Sequence, residues 1–398
     1  MRFLPAEVRD LVIDQLQADP LALKACSLTC RSWLPRARHH LFKSVKVDRS
    51  TCGETFKSML DGSPSIAYCI RDLEFSGKKT ECWWSGNANT VGRWPTLGQR
   101  MQRHMAPDAQ DIEDWLRRIL PQTKTALHRV KRLTLTSFPV SGMVAKLIRP
   151  YFCEVTELVI NGCLATSFND FVELRDALPL LRSLRVIDAR WLPTSPLVDL
   201  PSFLPHSAIS TMEFSRKVNI VTVFDWMIRQ GRSLHLTSLS CYVTCHAAAK
   251  ALKIMLETLG SNLQHLGIGF SEVRDPTEVL KSSDLTLKPC TGLRSIRISC
   301  ATTERFSTYR ISLSWILHIL SSVTSPTIKE VIFSIPQRDI SALYLDGLIS
   351  VFSHKRYRSL QRLVFDVELQ AEDILQEKDI RTRLSVLGRS LKFNVVYR

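Results

Sequence analysis

Thiols and imidazoles gather at two places along the chain, and each gathering suggests a chemistry that its surroundings argue against. Cys26 and Cys30 lie one helical turn apart, with His39-His40 following, a grouping with a faint likeness to a zinc module. Structural zinc is normally held by paired ligands on two well-spaced turns. Here the cysteines sit among leucines at helical spacing, where a thiol packs as a small hydrophobe, so no metal is expected. Cys241, Cys245 and His246 would set a thiol beside a base, but no carboxylate follows nearby to orient the imidazole. Gly267-x-Gly269 lacks the third glycine and the helix start that cradle a phosphate. No HExxH, GxSxG or Walker A sequence occurs. The expectation is a chain without catalysis of its own and without a cofactor.

Binding chemistry is better represented. Lysine and arginine number 53 against 38 acidic residues, a formal charge of +15. The excess is spread along the chain in short clusters such as Lys355-Arg356-Tyr357-Arg358, without a long basic run or an RNA-binding signature of glycine and aromatics. An acidic protein partner fits this better than specific nucleic-acid recognition, although some salt-dependent affinity for nucleic acid is expected of such a charge. Three of the eight tryptophans, Trp83, Trp84 and Trp94, fall in one stretch with Gly86, Asn87, Gly92, Arg93 and Pro95. Glycine, asparagine and proline mark a loop. Tryptophan beside arginine is typical of the residues that dominate interfaces, which makes this stretch a candidate recognition loop; a loop whose tryptophans fold back over the open end of the array is the equal alternative.

These residues need elements to hold them, and the chain supplies a repeat. From Ile70 the pattern apolar-x-x-apolar-x-apolar recurs, as in Ile70-x-x-Leu73-x-Phe75, Val130-x-x-Leu133-x-Leu135 and Val155-x-x-Leu158-x-Ile160, through to Leu360-x-x-Leu363-x-Phe365. There are ten copies. After Leu73 their middle positions are Leu133, Leu158, Leu184, Met212, Leu239, Leu266, Ile296, Val331 and Leu363, a near-regular series that widens toward its end. Each copy predicts a short strand with alternate residues turned into a core. Helical patterns lie between them, at 111–120, 168–178, 222–230, 247–259, 314–321 and 340–352. Strand and helix alternating at a near-fixed period predict a stacked array with a parallel sheet on one side and helices on the other, similar to leucine-rich repeats. The likeness is degenerate. At the third position after the last strand apolar, where such repeats carry Asn or Cys, only Cys163 fits, with Thr244 and Ser271 as weaker stand-ins and Phe138, Lys217 and Pro336 elsewhere. The residues between the apolar positions would face outward as a ladder. It contains Lys131-Arg132, Thr134, Arg182, Arg185, Arg294, Arg297 and Arg362, with Arg132, Arg185 and Arg297 as candidates for gripping an acidic or phosphorylated target.

The N-terminal segment, 1–45, reads as short helices. Pro5 presets the first turn; Val8, Leu11, Val12, Ile13 and Leu16 follow at helical spacing, with Glu7, Arg9, Asp10 and Asp14 facing water. Asp19 caps and Pro20 opens a second helix, which brings Leu23, Cys26, Ser27 and Cys30 onto one face. Leu34-Pro35 should end or kink it, and Arg36 to Phe42 make a third. Helices this short need a further surface, from the chain or from a partner. The stretch Leu4 to Phe42, above all Ala25-Cys26-Ser27-Leu28-Thr29-Cys30-Arg31-Ser32-Trp33, resembles an F-box of the large fungal, basidiomycete-like families. That resemblance implies a Leu-Pro turn and an apolar face that contact a Skp-type adaptor, a role falling on Leu4, Pro5, Val8, Ile13, Leu16, Leu21 and Leu23. It leaves Cys30 and Trp33 to hold the module together. It further implies a substrate-recognition subunit, joined through the adaptor to a cullin-RING assembly, that presents a protein target for ubiquitin transfer. A repeat scaffold without ligase function and a basic nucleic-acid binder are the alternatives.

The expected architecture is therefore α/β: an F-box over 1–45, a first repeat with a tryptophan-rich insertion over 46–129, and a degenerate leucine-rich-repeat-like solenoid over 130–398. No uncharged apolar run reaches the roughly 18 residues of a membrane span, and charged residues directly after Leu4-Pro5 leave no secretory h-region. Eleven scattered cysteines are an odd number, which fits reduced thiols in the cytoplasm or nucleus.

Overall fold

The computed structural model describes residues 5–48, 53–77, 112–120, 127–165, 167–191, 209–229, 235–271, 273, 275–300, 313–336, 343–368, 382 and 392–397. The chain divides into two compact units, Met1–Ser207 and Ala208–Arg398. Both are α/β, with parallel strands in chain order. Among the described residues, no helix is long and apolar enough to cross a membrane.

Unit 1 opens with three helices, α1 (Ala6–Gln15), α2 (Pro20–Thr29) and α3 (Leu34–Leu41). Next come β1 (Ser44–Asp48), α4 (Gly53–Gly62), β2 (Asp72–Ser76), helical residues 112–119 (α5), β3 (Arg132–Thr136), the short β4 (Pro139–Val140) and α6 (Gly142–Ile148). β5 (Glu157–Asn161), β6 (Leu164–Ala165), α7 (Phe168–Asp176), β7 (Ser183–Ile187) and β8 (Arg190–Trp191) complete it. The main sheet runs β1-β2-β3-β5-β7 and the short strands pair as β4-β6-β8. Alternation decides the faces: Leu73 and Phe75, Leu133 and Leu135, Leu158 and Ile160 are buried, while the residues between them look outward. Phe75 meets Trp115 of α5 edge-on at 5.8 Å and Phe152 at 6.2 Å. Each such side chain contributes about 1.5–3 kcal/mol by leaving water.

Unit 2 repeats the theme. β9 (Thr211–Phe214), α8 (Ile220–Arg229), β10 (Ser238–Val243), α9 (His246–Leu259), β11 (His265–Phe270) and α10 (Pro276–Ser283) come first. They are followed by β12 (Ser295–Cys300), α11 (Ser314–Ser321), β13 (Glu330–Pro336), α12 (Leu345–Phe352), β14 (Arg362–Glu368) and β15 (Lys392–Tyr397). The strands pair in that order, all parallel, and successive helices α8 to α12 lean on one another. Phe270 packs edge-on against Trp315 at 4.7 Å, and Phe333 stacks on Phe365 at 5.0 Å.

Every copy of the repeat contains a strand, but the strand begins two positions later than the pattern does. The leading apolar residue closes a turn instead. Ile70, Val130, Val155, Leu181 and Leu360 each donate their N–H to the carbonyl at i−3, at 2.9–3.3 Å. That N–H is spent before the ladder starts, while the side chain stays in the core. Two outer strands, β1 and β15, lie beyond the ten copies. Helices α4, α6 and α10 were not expected, although α10 is announced by Asp275-Pro276, the same cap-and-proline signal as Asp19-Pro20: Asp275 accepts from the N–H groups of Thr277 and Glu278.

The turns after β3, β5 and β7 share a device. Ser137, Gly162 and Asp188 adopt φ of 51°, 63° and 55°, the left-handed region. That rotation lets the Ser137 N–H reach the Asn161 carbonyl and the Gly162 N–H reach that of Ile187, and it turns the chain into β4, β6 and β8. Cys163, three residues after the last apolar residue of β5, is buried, and its thiol donates to the Leu135 carbonyl at 3.3 Å. In the preceding repeat Phe138 fills the equivalent place with an aromatic, 6.2 Å from Trp115.

Candidate docking site on the N-terminal helices

The first three helices form a module with its own small core. Pro5 stands at the N-cap of α1, and the Leu16 N–H folds back to Ile13 to close that helix. Asp19 accepts from Leu21 and Ala22, each at 3.0 Å, with Pro20 in the first turn, as its sequence dictates. α2 stops at Thr29, and Pro35 lies in the first turn of α3 rather than breaking α2. Ile13, Leu23, Cys26 and Ala37 are buried together, with Leu16, Trp33 and Leu41 packed against them. Asp14, which the helical pattern turns toward water, instead clamps α1 to α3. Arg36 donates to its two oxygens at 2.6 and 2.7 Å, and His40 Nε2 lies 2.7 Å away.

That packing sorts the apolar residues into two sets. Ile13 and Leu23, expected to touch an adaptor, are core residues with no surface to offer, and Leu16 leans on the same core. Pro5, Val8 and Leu21 are exposed as expected, while Leu4 lies outside the described residues. The pattern also concealed three further candidates. Leu11 is 62% exposed and Leu28 86%, beside Leu21 at 76%, and Val12 is exposed as well. Spacing could have found them: Val8, Leu11 and Val12 stand at i, i+3 and i+4, and Leu21, Ala25 and Leu28 at i, i+4 and i+7, each a single helical face. Cys30 is exposed, bonded to Ser32 at 3.0 Å, and does not hold the module together; Trp33 does. Cys26 is buried and Cys30 exposed, so the two thiols have different surroundings. Leu11, Leu21 and Leu28 thus stay outside the module's core.

The Asp14 clamp carries a pH signature. Hydrogen bonds from Arg36 and then from His40 hold its carboxyl well below the usual carboxylate range. A carboxyl depressed in the folded state stabilises the fold above its unfolded pKa of about 4, and that contribution fades as pH falls through the lower folded value. Asp14→Asn is therefore expected to lower the melting temperature at pH ~7, and the difference from wild type should shrink between pH ~4 and ~2. An equal difference at both ends of that range would show that the clamp is not ionic.

The outward strand faces differ from the expected basic ladder. In unit 1, Arg132 pairs at 2.8 Å with Glu157, its register partner on β5, Lys131 pairs with Glu154 at 2.6 Å, and Lys46 pairs with Glu74 at 2.8 Å. In unit 2, Arg362 meets Glu330 at 3.0 Å, and Arg297 reaches across β13 to Ser334 at 2.9 Å and to the buried Asp366 at 3.1 Å. Arg185 is exposed on β7. Such exposed pairs contribute about 0–1 kcal/mol each, and they offset the charge of the cations that make them. Arg132 and Arg297 each already stand beside a carboxylate, with which a target's acidic groups would compete. Trp83, Trp84 and Trp94 lie outside the described residues.

Cys241, Cys245, His246, Gly267 and Gly269 lie on or beside β10, α9 and β11. Burial pushes the Cys241 thiol up to about 12, as it does those of Cys163 and Cys290. Cys245 is exposed, and His246 Nδ1 lies 3.1 Å from Ser282 Oγ on α10. Gly267 and Gly269 occupy the outward positions of β11, where a Cβ would collide with Ser240 Oγ and with the Tyr242 ring. They are glycines of close strand-to-strand approach, not of a phosphate loop. In the native chain Cys30, whose thiol is lowered by its hydrogen bond to Ser32, should react with a thiol reagent at pH ~7.5 well before Cys163 and Cys241, which should label only on unfolding. Mass-spectrometric mapping of early adducts on Cys241 would contradict this placement.

No known protein-family model matches the chain, and a search of curated proteins finds no match.

Proposed function

We propose that this chain is a substrate-recognition subunit of a Skp-cullin-F-box-type ubiquitin ligase. Its N-terminal helices act as an F-box that docks a Skp-type adaptor. The strand-and-helix repeats act as a leucine-rich-repeat-like solenoid that holds a protein target. The observation that carries the reading is the separation of leucines in the helical module: Ile13 and Leu23 complete a core, yet Leu11, Leu21 and Leu28 remain in water. A helical module with a finished core has no internal use for exposed leucines, and a partner surface would bury them. The chain performs no chemistry in this reading, and it acts in the cytoplasm or nucleus with the cullin-RING assembly reached through the adaptor.

The test is co-purification. Full-length chain, co-expressed with a Skp-type adaptor, should elute with it as one species on gel filtration, and deletion of residues 1–45 should abolish that. Absence of a complex with the intact chain would overturn the ligase reading and leave a repeat scaffold.

A further inference from the structure

The end of unit 1 at which the strands begin carries a charge distribution unlike that of the strand faces. The Lys43 carbonyl accepts the N–H groups of Arg71 and Asp72, both at 2.9 Å. The Arg71 carbonyl accepts those of Lys131 and Arg132 at 2.7 and 3.0 Å, and the Lys131 carbonyl those of Thr156 and Glu157 at 2.9 and 3.0 Å. This repeated fork sets Lys43, Arg71 and Lys131 in a row, one per strand, at the ~4.8 Å spacing of neighbouring strands. Arg129 joins them: its carbonyl accepts from Arg71 Nη1 at 3.0 Å, and its guanidinium lies 5.2 Å from the centre of the Tyr68 ring. His128 meets that exposed tyrosine edge-on at 5.6 Å. From α3, Arg38 adds a further cation. Burial pushes the Cys69 thiol up against the fields of Arg71, Arg38 and Arg129, which converge on it. His39 is held down by burial and then by His40, Arg36, Arg71 and Lys43.

Lys131 is matched by Glu154. Among the described residues, no carboxylate lies within ion-pair distance of Arg38, Lys43, Arg71 or Arg129. Four cations without such a match, one of them over the exposed Tyr68 ring, stand beside strand-face cations that do have carboxylate partners (Lys46, Lys131 and Arg132), an asymmetry that folding does not need.

We propose that Arg38, Lys43, Arg71 and Arg129, with Tyr68, form a docking surface for a short anionic peptide segment of a partner protein, its carboxylates or phosphates seated on the guanidinium and ammonium groups. Size favours a peptide over a nucleic acid. The row spans three strands, roughly 10 Å, which matches two or three anionic side chains of an extended peptide rising about 3.3 Å per residue. A longer phosphodiester would run onto Asp72, next to Arg71 in the chain, and onto Glu154, which pairs with Lys131 at the end of the row. Arg71 spends one N–H on the Arg129 carbonyl and keeps others for a forked contact with carboxylate or phosphate. The surface names a target class for the receptor reading and rests on that reading for its biological use. Its test reads peptide binding by the chain alone, so its failure is distinct from a failure to bind adaptor.

Fluorescence anisotropy with full-length chain at about 150 mM salt, where steering between distant charges is largely screened, would use four labelled probes: a peptide of about twelve residues with glutamate at alternate positions, its phosphoserine counterpart, its glutamine counterpart, and a single-stranded oligonucleotide of matched charge. The glutamate or phosphoserine peptide is expected to bind and the glutamine one not, and the tighter of the two identifies the source of the anion. Lys43→Glu/Arg71→Glu/Arg129→Glu should weaken binding by ~100-fold or more, since each site would lose a charge-assisted contact and gain a repulsion. Arg362→Gln should leave it unchanged. Should the reversed variant melt early, Lys43→Gln/Arg71→Gln/Arg129→Gln replaces it, with an expected loss of ~10-fold. Equal binding by variant and wild type, absence of binding by either anionic peptide, or tighter binding of the oligonucleotide would each overturn the proposal.

Discussion

Replacing Leu11 and Leu28 together by glutamate is expected to reduce affinity for a Skp-type adaptor by ~100-fold or more, each leucine being worth about 1.5–3 kcal/mol if an interface buries it fully. The same change should shift the melting temperature of the free chain by no more than ~2 °C, because substitutions at open surface sites usually fall within about 0.5 kcal/mol. Leu11 is 62% exposed and Leu28 86%, so the fold has little to lose. A glutamate placed in an apolar interface adds the cost of an unpaired buried charge, which pushes the effect further in the same direction. Isothermal titration of purified adaptor into each chain would measure it. Unchanged affinity in the double variant would sink the assignment of these leucines, and with it the structural argument for adaptor docking.

Leu23→Ala should do the opposite: it should unfold the module locally, not merely blunt its surface. Large-to-small changes at buried leucines cost about 2–5 kcal/mol, transfer and cavity terms together. The core that must absorb this consists of Ile13, Leu23, Cys26 and Ala37, and only Ile13 and Leu23 are large aliphatics. A loss of that size is comparable to the whole stability expected of so small a core. Hydrogen exchange is the suitable probe, since it reads local opening. Amides of α1 to α3 should lose protection in Leu23→Ala, while those of β11 to β13 keep it. Retained protection across the three helices would mean that the module does not depend on this core. The two variants together separate the roles that the sequence pattern merged: one removes docking and spares the fold, the other removes docking by removing the fold.

That merging shows what could be read before the structure. The ten apolar triplets each contain a strand, because a period of two within a unit of near-constant length admits few other solutions. The caps of α2 were equally plain, since Asp19-Pro20 satisfies orphan N–H groups by chemistry that needs no context. The faces of α1 were not plain. Its apolar residues occupy both sides, and choosing which side is core requires the position of α3, to which Asp14 is tied by Arg36 and His40. The left-handed turns at Ser137 and Asp188 were hidden because neither is glycine. The signal lay in their alignment with Gly162, which stands one repeat from each of them. Part of the basic ladder is neutralised by partners that the sequence pattern hid for a related reason. Arg132 finds Glu157 one repeat onward, at its register position on β5, and Glu330 finds Arg362 in the same way between β13 and β14. Counting the cations of a strand without the carboxylates one period away overlooks the partners of Lys131, Arg132, Arg297 and Arg362.

The small sheet β4-β6-β8 has a bearing on how this chain can vary. In unit 1 the repeats from β3 to β7 are bonded twice, once along the main strands and again just past the left-handed turns. Two rows of hydrogen bonds on the same three repeats work like a pair of rails with fixed gauge. A residue gained or lost between Thr136 and Val140, or between Asn161 and Ala165, would throw one rail out of step with the other. Length can then change only on the helical return. The middle positions of these repeats, Leu133, Leu158 and Leu184, are evenly and closely spaced. Those from β11 to β14, where no second row occurs among the described residues, are Leu266, Ile296, Val331 and Leu363, which stand further apart and less evenly. Tolerance for insertion therefore differs along this chain: tight where the turns are bonded to one another, and loosest from β11 to β14, where only the main strands are.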